Sequence, residues 1–271
     1  MNNGSKPVIA VERLATVDST NAYLKRKIEQ DVSKAPFAVM AESQTNGHGR
    51  NGRKWLNTFG ALLMSVALPL YCLQPNEYSL VTLAAAVSVN SCFKRLGIET
   101  KIKWPNDIWL EGKKLCGILT SLVNGADSKK YAVVGIGANV NADDFPTDLL
   151  YETTSVKKAL GRSTDTYTLC IDICTELVGR MDDIISSSER RACVFSEYRR
   201  DSIIIGSEII VNTVDGDSFE AFADDVDLNG ELIVTKKTGA KIRISAADVS
   251  IKKLMGNENG AGCFKRNESG N

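Results

Sequence analysis

One histidine, His48, serves the whole chain of 271 residues, which removes most designs for acid–base catalysis by imidazole. Cysteine forms no framework either: seven are scattered singly, at Cys72, Cys92, Cys116, Cys170, Cys174, Cys193 and Cys263. Cys170 and Cys174 stand one helical turn apart, but no second pair accompanies them, so buried reduced thiols are expected rather than zinc ligands. Charge of one sign is not in excess. The 33 basic and 33 acidic residues cancel, and no global field draws the chain to nucleic acid or an anionic membrane; any attraction for phosphate must be local. No stretch approaches the roughly 18 to 20 apolar residues of a membrane span, and the opening MNNGSKP lacks the apolar core of a secretory signal. A cytoplasmic protein is expected, with neither membrane nor nucleic acid as partner.

What is present is a glycine-rich, basic stretch, ESQTNGHGRNGRKW, from Glu42 to Trp55. Closely spaced glycines at Gly47, Gly49 and Gly52 remove packing atoms and permit unusual backbone angles, so the segment reads as a loop. The apolar runs Phe37 to Ala41 and Leu62 to Leu68 make it a connection between strands. Exposed N–H groups beside Arg50, Arg53 and Lys54 suit a phosphate-bearing ligand. The spacing is neither the Walker pattern nor the dinucleotide fingerprint, and an ordinary solvated connector is the alternative.

Around this loop the pattern is mixed α/β. Val8 to Leu14 predicts a strand, and Ser19 or Thr20 caps a helix running through Leu24 and Ile28; equally, Ser19, Thr20 and Asn21 face a polar ligand from the turn. Tyr78 to Leu96 predicts a helix from its three- and four-residue apolar spacing. Thr100 to Lys103, Ile108 to Leu110 and Leu115 to Leu122 read as strands, with turns at Pro105–Asp107 and Glu111–Gly112. Lys103, Asp107 and Lys114 punctuate them, as surface charges or as groups turned into a cleft. Tyr131 to Val140 reads as a central strand whose Gly135 and Gly137 allow close approach to its backbone, with Asn139 and Asn141 at its end. Helices are expected over Val156 to Leu160 and Thr168 to Ile185. A polar break over Ser186 to Arg191 precedes a final helical face with Val194, Phe195 and Tyr198. From about Ser202, β-branched runs separated by DG, NG and TG turns predict a small all-β barrel or meander.

Several strings in order carry a resemblance: DSTN at Asp18 to Asn21, GHGRNGRKW at Gly47 to Trp55, KWPND at Lys103 to Asp107, KKLCGIL at Lys113 to Leu119, and GIGANVN at Gly135 to Asn141. Together the chain resembles the biotin protein ligases over roughly Leu14 to Leu254. The resemblance implies a mixed-sheet α/β catalytic domain of the biotin/lipoate ligase type over 8–200, followed by a small SH3-like β-barrel domain over 201–255, with flexible tails at 1–7 and 256–271. The family loop commonly starts Gly-Arg-Gly-Arg, and His48 stands at the first arginine position here. The short segment before Val8 implies the monofunctional type without a DNA-binding domain.

The implied chemistry activates biotin with ATP to biotinoyl-5'-AMP and then passes the acyl group to a lysine of a biotin carboxyl-carrier domain. By the resemblance, Ser19, Thr20, Asn21 and Gln44 meet the ureido end of biotin. Gly47, Trp55 and Gly117 wall its pocket, and Arg50 and Lys114 touch biotin and nucleotide alike. Arg50, Arg53, Lys103, Asn106, Lys114 and Asn139 are the implied nucleotide contacts, and Arg50, Lys103 and Lys114 the catalytic set. Asp107 is the implied magnesium ligand, and a monomer or weak homodimer the implied state. Lipoate or octanoate ligation is the nearest rival, disfavoured by the GRNGRKW loop and complete KWPND. A non-enzymatic biotin-binding regulatory module is the rival of another class, disfavoured by Arg50 and Lys114 beside a glycine loop.

Overall fold

The computed structural model describes residues 9–252 apart from 34, 148, 214, 215 and 246, so the expected tails at 1–7 and 256–271 lie outside the described residues. The chain divides into two units. The first runs through Ile203 and takes in Val226–Gly230; the second holds Ile204–Asp225 and the chain from Glu231 onward.

The first unit is built on a seven-stranded mixed sheet in the order β1-β2-β3-β7-β6-β5-β4. Its strands are β1 Val11–Val17, β2 Phe37–Gln44, β3 Leu62–Pro69, β4 Lys101–Lys103, β5 Asp107–Leu110, β6 Lys113–Asn124 and β7 Lys130–Ala138. Only β1 runs parallel to its neighbour; the others pair antiparallel, and short turns connect β4 to β5, β5 to β6 and β6 to β7. Between β5 and β6 the Glu111–Gly112 turn takes φ of 49° and 79°, the left-handed pair that suits the twist of a two-residue hairpin.

Helix α1, Thr20–Gln30, begins where Ser19 caps it, its hydroxyl accepting from the Ala22 N–H. Leu24 and Ile28 then bury against Phe37, Val39, Ala67 and Val133 on one face of the sheet. Each such fully buried side chain stabilises by about 1.5–3 kcal/mol. Helix α2, Leu80–Arg95, packs on the opposite face, where Thr82 hydrogen-bonds Thr120 of β6 at 2.7 Å. Helix α4, Thr166–Ser186, packs on α2 and β3; its Cys170, Ile173, Cys174, Leu177, Met181 and Ile184 are buried, as the periodicity predicts. Short α3, Val156–Leu160, matches its expected range.

The polar break does not extend to Arg191. Only Ser187 interrupts the helices, and α5, Ser188–Asp201, starts at once, because Ser187 accepts the Arg190 N–H, Glu189 and Arg190 are sound helix formers with exposed side chains, and half-buried Arg191 bonds Glu77 and the Ile184 carbonyl.

The second unit corrects a larger expectation. Its strands β8 Glu208–Thr213, β9 Ser218–Val226, β10 Leu232–Lys236, β11 Lys241–Ile244 and β12 Ala247–Ile251 form a five-stranded sheet in the order β11-β10-β9-β8-β12. Strands β11 and β12 are its two edges, so among the described residues it is an open sheet and not an SH3-like closed barrel. Turn chemistry specifies which consecutive strands fold back on each other. Closure needs the outermost strands to pair across the whole sheet, with tilt and stagger to match, and no local signal carries that.

Candidate active site

Cross-strand register decides which side chains share the face that α1 covers only in part. Ser65 of β3 lies opposite Gly135 of β7, Gly137 opposite both Leu63 and Gly117, and Gly117 opposite Asp107. Glycines therefore open a trough across the middle of the sheet, and two side chains enter it. A Cβ on Gly137 would lie 2.5 Å from Trp55 Cε2, and one on Gly117 2.9 Å from Trp55 Cζ3, so the indole occupies the space where side chains would stand. Asn21 reaches in beside it: its Nδ2 donates to the carbonyls of Leu119 and Val133, at 3.2 Å each, and a Cβ on Gly135 would come within 3.2 Å of it.

At one end of the trough the groups are uncharged and polar. The Gln44 Oε1 accepts from the Thr20 backbone N–H at 2.7 Å and from the Thr20 hydroxyl at 3.1 Å, and the Ser65 hydroxyl donates to the Thr20 oxygen at 2.9 Å. Gly47 leaves room for Gln44, whose Nε2 would lie 2.9 Å from a Cβ at that position. Asp18 supports this corner from outside. Its fork with Arg26, at 2.8 and 2.9 Å, and its bond from the Ser19 N–H hold its carboxyl down at about 2. Ser65 is absent from the sequence-derived set, although a lone hydroxyl in the apolar run LLMSVALP is a legible signal.

At the other end stand cations. Residues 114 and 117 are three apart and by alternation would point to opposite faces. Between Ile108 and Trp109 the β5–β6 register shifts: Ile108 pairs with Cys116 but Trp109 with Lys114, leaving Leu115 as the extra residue of a bulge. The bulge turns Lys114 to the face of Gly117, whose added Cβ would lie 3.5 Å from the Lys114 Nζ. That ammonium pairs with Asp107 at 2.7 Å. Burial pushes the neighbouring Cys116 thiol far up, with Asp107 adding to the effect and Lys114 opposing it, so it is no nucleophile.

The glycine loop reaches the same end. It closes on itself through Trp55 N–H to the Gly47 carbonyl, 3.0 Å, and Gly49 N–H to the Arg53 carbonyl, 2.7 Å. Arg50 opens a single 3-10 turn, and its Nη1 donates to Asn106 Oδ1 at 3.1 Å. Asn106 is in turn held by its Nδ2 on the Ile118 carbonyl at 2.6 Å. Arg53 is exposed, as is His48, which bridges to Lys54 through its backbone. Asn139 is buried, its N–H on the Leu115 carbonyl at 3.0 Å. Asn141 is occupied with structure: its amide exchanges two bonds, each 2.9 Å, with the Thr164 backbone. Lys103 is buried at the far strand beside Trp109 and Tyr151, neither of which the motifs pointed to.

Magnesium does not find a ready cage. Among the described residues no group of three His, Cys, Asp or Glu side chains is placed to hold a metal, and the Asp107 carboxylate is already engaged by Lys114. Asp107 alone does not make a metal site.

The model of the Biotin/lipoate A/B protein ligase family matches residues 14–141, the segment that supplies almost the whole of this site. The bifunctional ligase/repressor BirA of Bacillus spizizenii is 32% identical over 254 residues, 92% of this chain and 77% of the relative. The chain belongs to this family. It is an enzyme of the biotin protein ligase kind, and the biotin--[acetyl-CoA-carboxylase] ligase of Mycobacterium tuberculosis is 29% identical over 241 residues, 87% of this chain and 86% of that one. The biotin protein ligase of Aquifex aeolicus, solved in complex with biotin and ATP, superposes with a TM-score of 0.78 at 23% identity over 90% of this chain and 99% of that one, which shows the ligase fold. Among the described residues, no helix of this ligase is long and apolar enough to cross a membrane.

Proposed function

We propose that this site joins biotin to a lysine of a carrier protein in two steps, through biotinoyl-5'-AMP, with its polar and cationic ends dividing the work. The observation that carries the reading is the gradient along one sheet face: hydroxyls and an amide at Thr20, Gln44 and Ser65, then an indole over glycines, then Lys114, Lys103 and Arg50. Biotin has the same order of parts, a polar ureido ring, an apolar body and chain, and a carboxylate.

In this reading Ser19, Thr20, Asn21 and Gln44, joined by Ser65, meet the ureido group; Gly47, Gly117 and Trp55 wall the body. Asn21 supports it, because both donations of its Nδ2 are to main-chain carbonyls, which orients the remaining oxygen. The biotin carboxylate oxygen attacks the α-phosphorus of ATP and pyrophosphate leaves with its electron pair. A carrier lysine amine then attacks the acyl carbon, and AMP leaves while the amine gives up its proton. Both steps gather negative charge on oxygen, and Lys114 stands where that charge develops. Arg50, seated on Asn106, folds the loop over the phosphates, with Arg53, Lys103 and Asn139 as further nucleotide contacts.

The partner is a biotin carboxyl-carrier domain, and the balanced charge of 33 against 33 supports a protein rather than a nucleic acid in that role. Six free cysteines among the described residues support a reducing, cytoplasmic setting. A monomer or weak homodimer is the state we infer. Pyrophosphate release with ATP and biotin, compared with lipoate and octanoate, tests the assignment. Biotin alone should support it, because the ureido-facing groups would be left unmatched by the others. Equal turnover of lipoate and biotin would defeat the reading.

A further inference from the structure

The segment Val226–Gly230 comes late in the chain, yet it belongs to the first unit. It is a turn closed on itself: the Gly230 N–H donates to the Asp227 carbonyl at 2.9 Å, and the Asn229 N–H to the Asp227 Oδ1 at 2.9 Å. Three of its carbonyls accept from side chains at three separate places in that unit. Arg199 of α5 donates to Val226 at 2.8 Å, Ser79 donates to Asn229, and the indole N–H of Trp104 donates to Gly230 at 3.2 Å.

Two residue choices fit this docking. Ser79 stands at the N-cap of α2, where a serine hydroxyl ordinarily takes up a helix N–H, but it makes no such bond and serves Asn229 instead. Gly230 has a φ of 81°, in the left-handed region, and a Cβ on it would lie 3.3 Å from the Ser79 Oγ. The turn therefore meets the start of α2 as glycine best allows.

Trp104 gives the contact its consequence. It is 3% exposed and follows Lys103 on the turn from β4 to β5, two residues before Asn106. Strand β4 is three residues long and outermost in its sheet, so few ladder bonds fix the backbone at its end. Asn106 has an anchor of its own, its Nδ2 on the Ile118 carbonyl at 2.6 Å and its carbonyl on the Ile118 N–H at 2.9 Å. On the Lys103 side the corresponding anchor is the Trp104 indole. A phenylalanine would fill much of the same space; the indole adds the donor.

We propose that Trp104 is a positioning residue for the nucleotide: the Gly230 carbonyl, fixed by Ser79 and by the turn itself, holds the indole, and the indole holds the backbone that carries Lys103 and Asn106. The inference rests on the reading of those two as nucleotide contacts, and the experiment tells the two failures apart. Pyrophosphate release is measured on the full chain, with ATP and biotin varied in turn, for Trp104→Phe, Ser79→Ala, the double variant and Lys103→Met. Thermal unfolding checks each for folding.

Trp104→Phe and Ser79→Ala should each raise the KM for ATP about five- to tenfold, the loss of one hydrogen bond, and leave the KM for biotin within about twofold. The double variant should be no worse than Trp104→Phe, because both changes act through one contact. Additive effects would give the two residues separate roles and defeat the proposal. So would the signature of packing alone, a lower melting temperature with both KM values moved alike or not at all. Should Trp104→Phe be too unstable to assay, Ser79→Ala decides by the same split. If both variants keep the wild-type KM for ATP while Lys103→Met raises it, the positioning is wrong and the nucleotide reading stands. If Lys103→Met leaves that KM unchanged, the nucleotide reading fails at Lys103 and the positioning falls with it.

Discussion

The indole of Trp55 occupies the space that a side chain at Gly137 would need, an added Cβ there falling 2.5 Å from Cε2 and 2.7 Å from Nε1. Loop and sheet are thus fitted to each other at a glycine. Gly137→Ala should push the indole out and weaken biotin binding by about tenfold or more, in keeping with the roughly 1–3 kcal/mol of overpacking. Adding Trp55→Phe should recover part of the loss by giving the methyl group room. Calorimetric titration with biotin checks both, and unchanged affinity in Gly137→Ala would show that the indole is not a wall of the pocket.

Arg50 and Lys114 should separate the formation of the intermediate from its retention. Lys114→Ala should slow pyrophosphate release by roughly a hundredfold, the usual cost of removing a group that stabilises developing charge on oxygen. Arg50→Gly should instead lose the anchor on Asn106 and let biotinoyl-5'-AMP escape, so that bystander proteins are labelled. Assaying pyrophosphate beside free adenylate distinguishes them. An Arg50→Gly enzyme that kept its intermediate would rule out the closure role.

Acid stability should depend on Asp201, a buried carboxylate at the end of α5. Burial pushes its pKa up, but hydrogen bonds from Arg200 and Lys94 outweigh burial and hold it below the usual carboxylate range. Lys94 reaches it at 2.6 Å and Asn90 at 2.9 Å. A lowered folded value means that its stabilisation is complete above the unfolded value of about 3.9 and is lost as pH falls through the folded value. Asp201→Asn should cost about 2–4 kcal/mol at pH 7, since it leaves basic groups without their partner. Its stability should then fall less steeply than that of the wild type between about pH 5 and 3. Urea unfolding across that range is the check, and parallel curves would refute it.

Thiol reactivity should sort by burial. Cys72 and Cys193 are exposed, whereas Cys92, Cys116, Cys170 and Cys174 are buried. The hydrogen bond with Cys170, followed by burial, pushes the Cys174 thiol up, and burial does the same for Cys116. Brief alkylation of the native protein near pH 7.5, read by peptide mass spectrometry, should mark Cys72 and Cys193 and spare the other four. Equal labelling of Cys116 would mean that the core opens on that timescale.

Local chemistry in the sequence was enough for most of the elements and for the family, though not for the start of α5 at Ser188. Strand–loop–strand around Gly47 to Trp55, the Ser19 cap and the stripe of α4 all follow from short-range rules, and five motifs in order carried the resemblance. Two things needed the folded chain. The first is which face a side chain takes: the bulge at Leu115 reverses alternation, so Lys114 and Gly117 meet, and nothing in the string KKLCG announces it. The second is what distant segments deliver. Ser65 and Tyr151 join the site through pairings with β7 and β6, and the C-terminal sheet stays open although its turns suit a barrel equally well. Turns and caps act over a few residues, where the sequence is explicit; register, bulges and sheet closure are settled by packing between strands far apart in the chain.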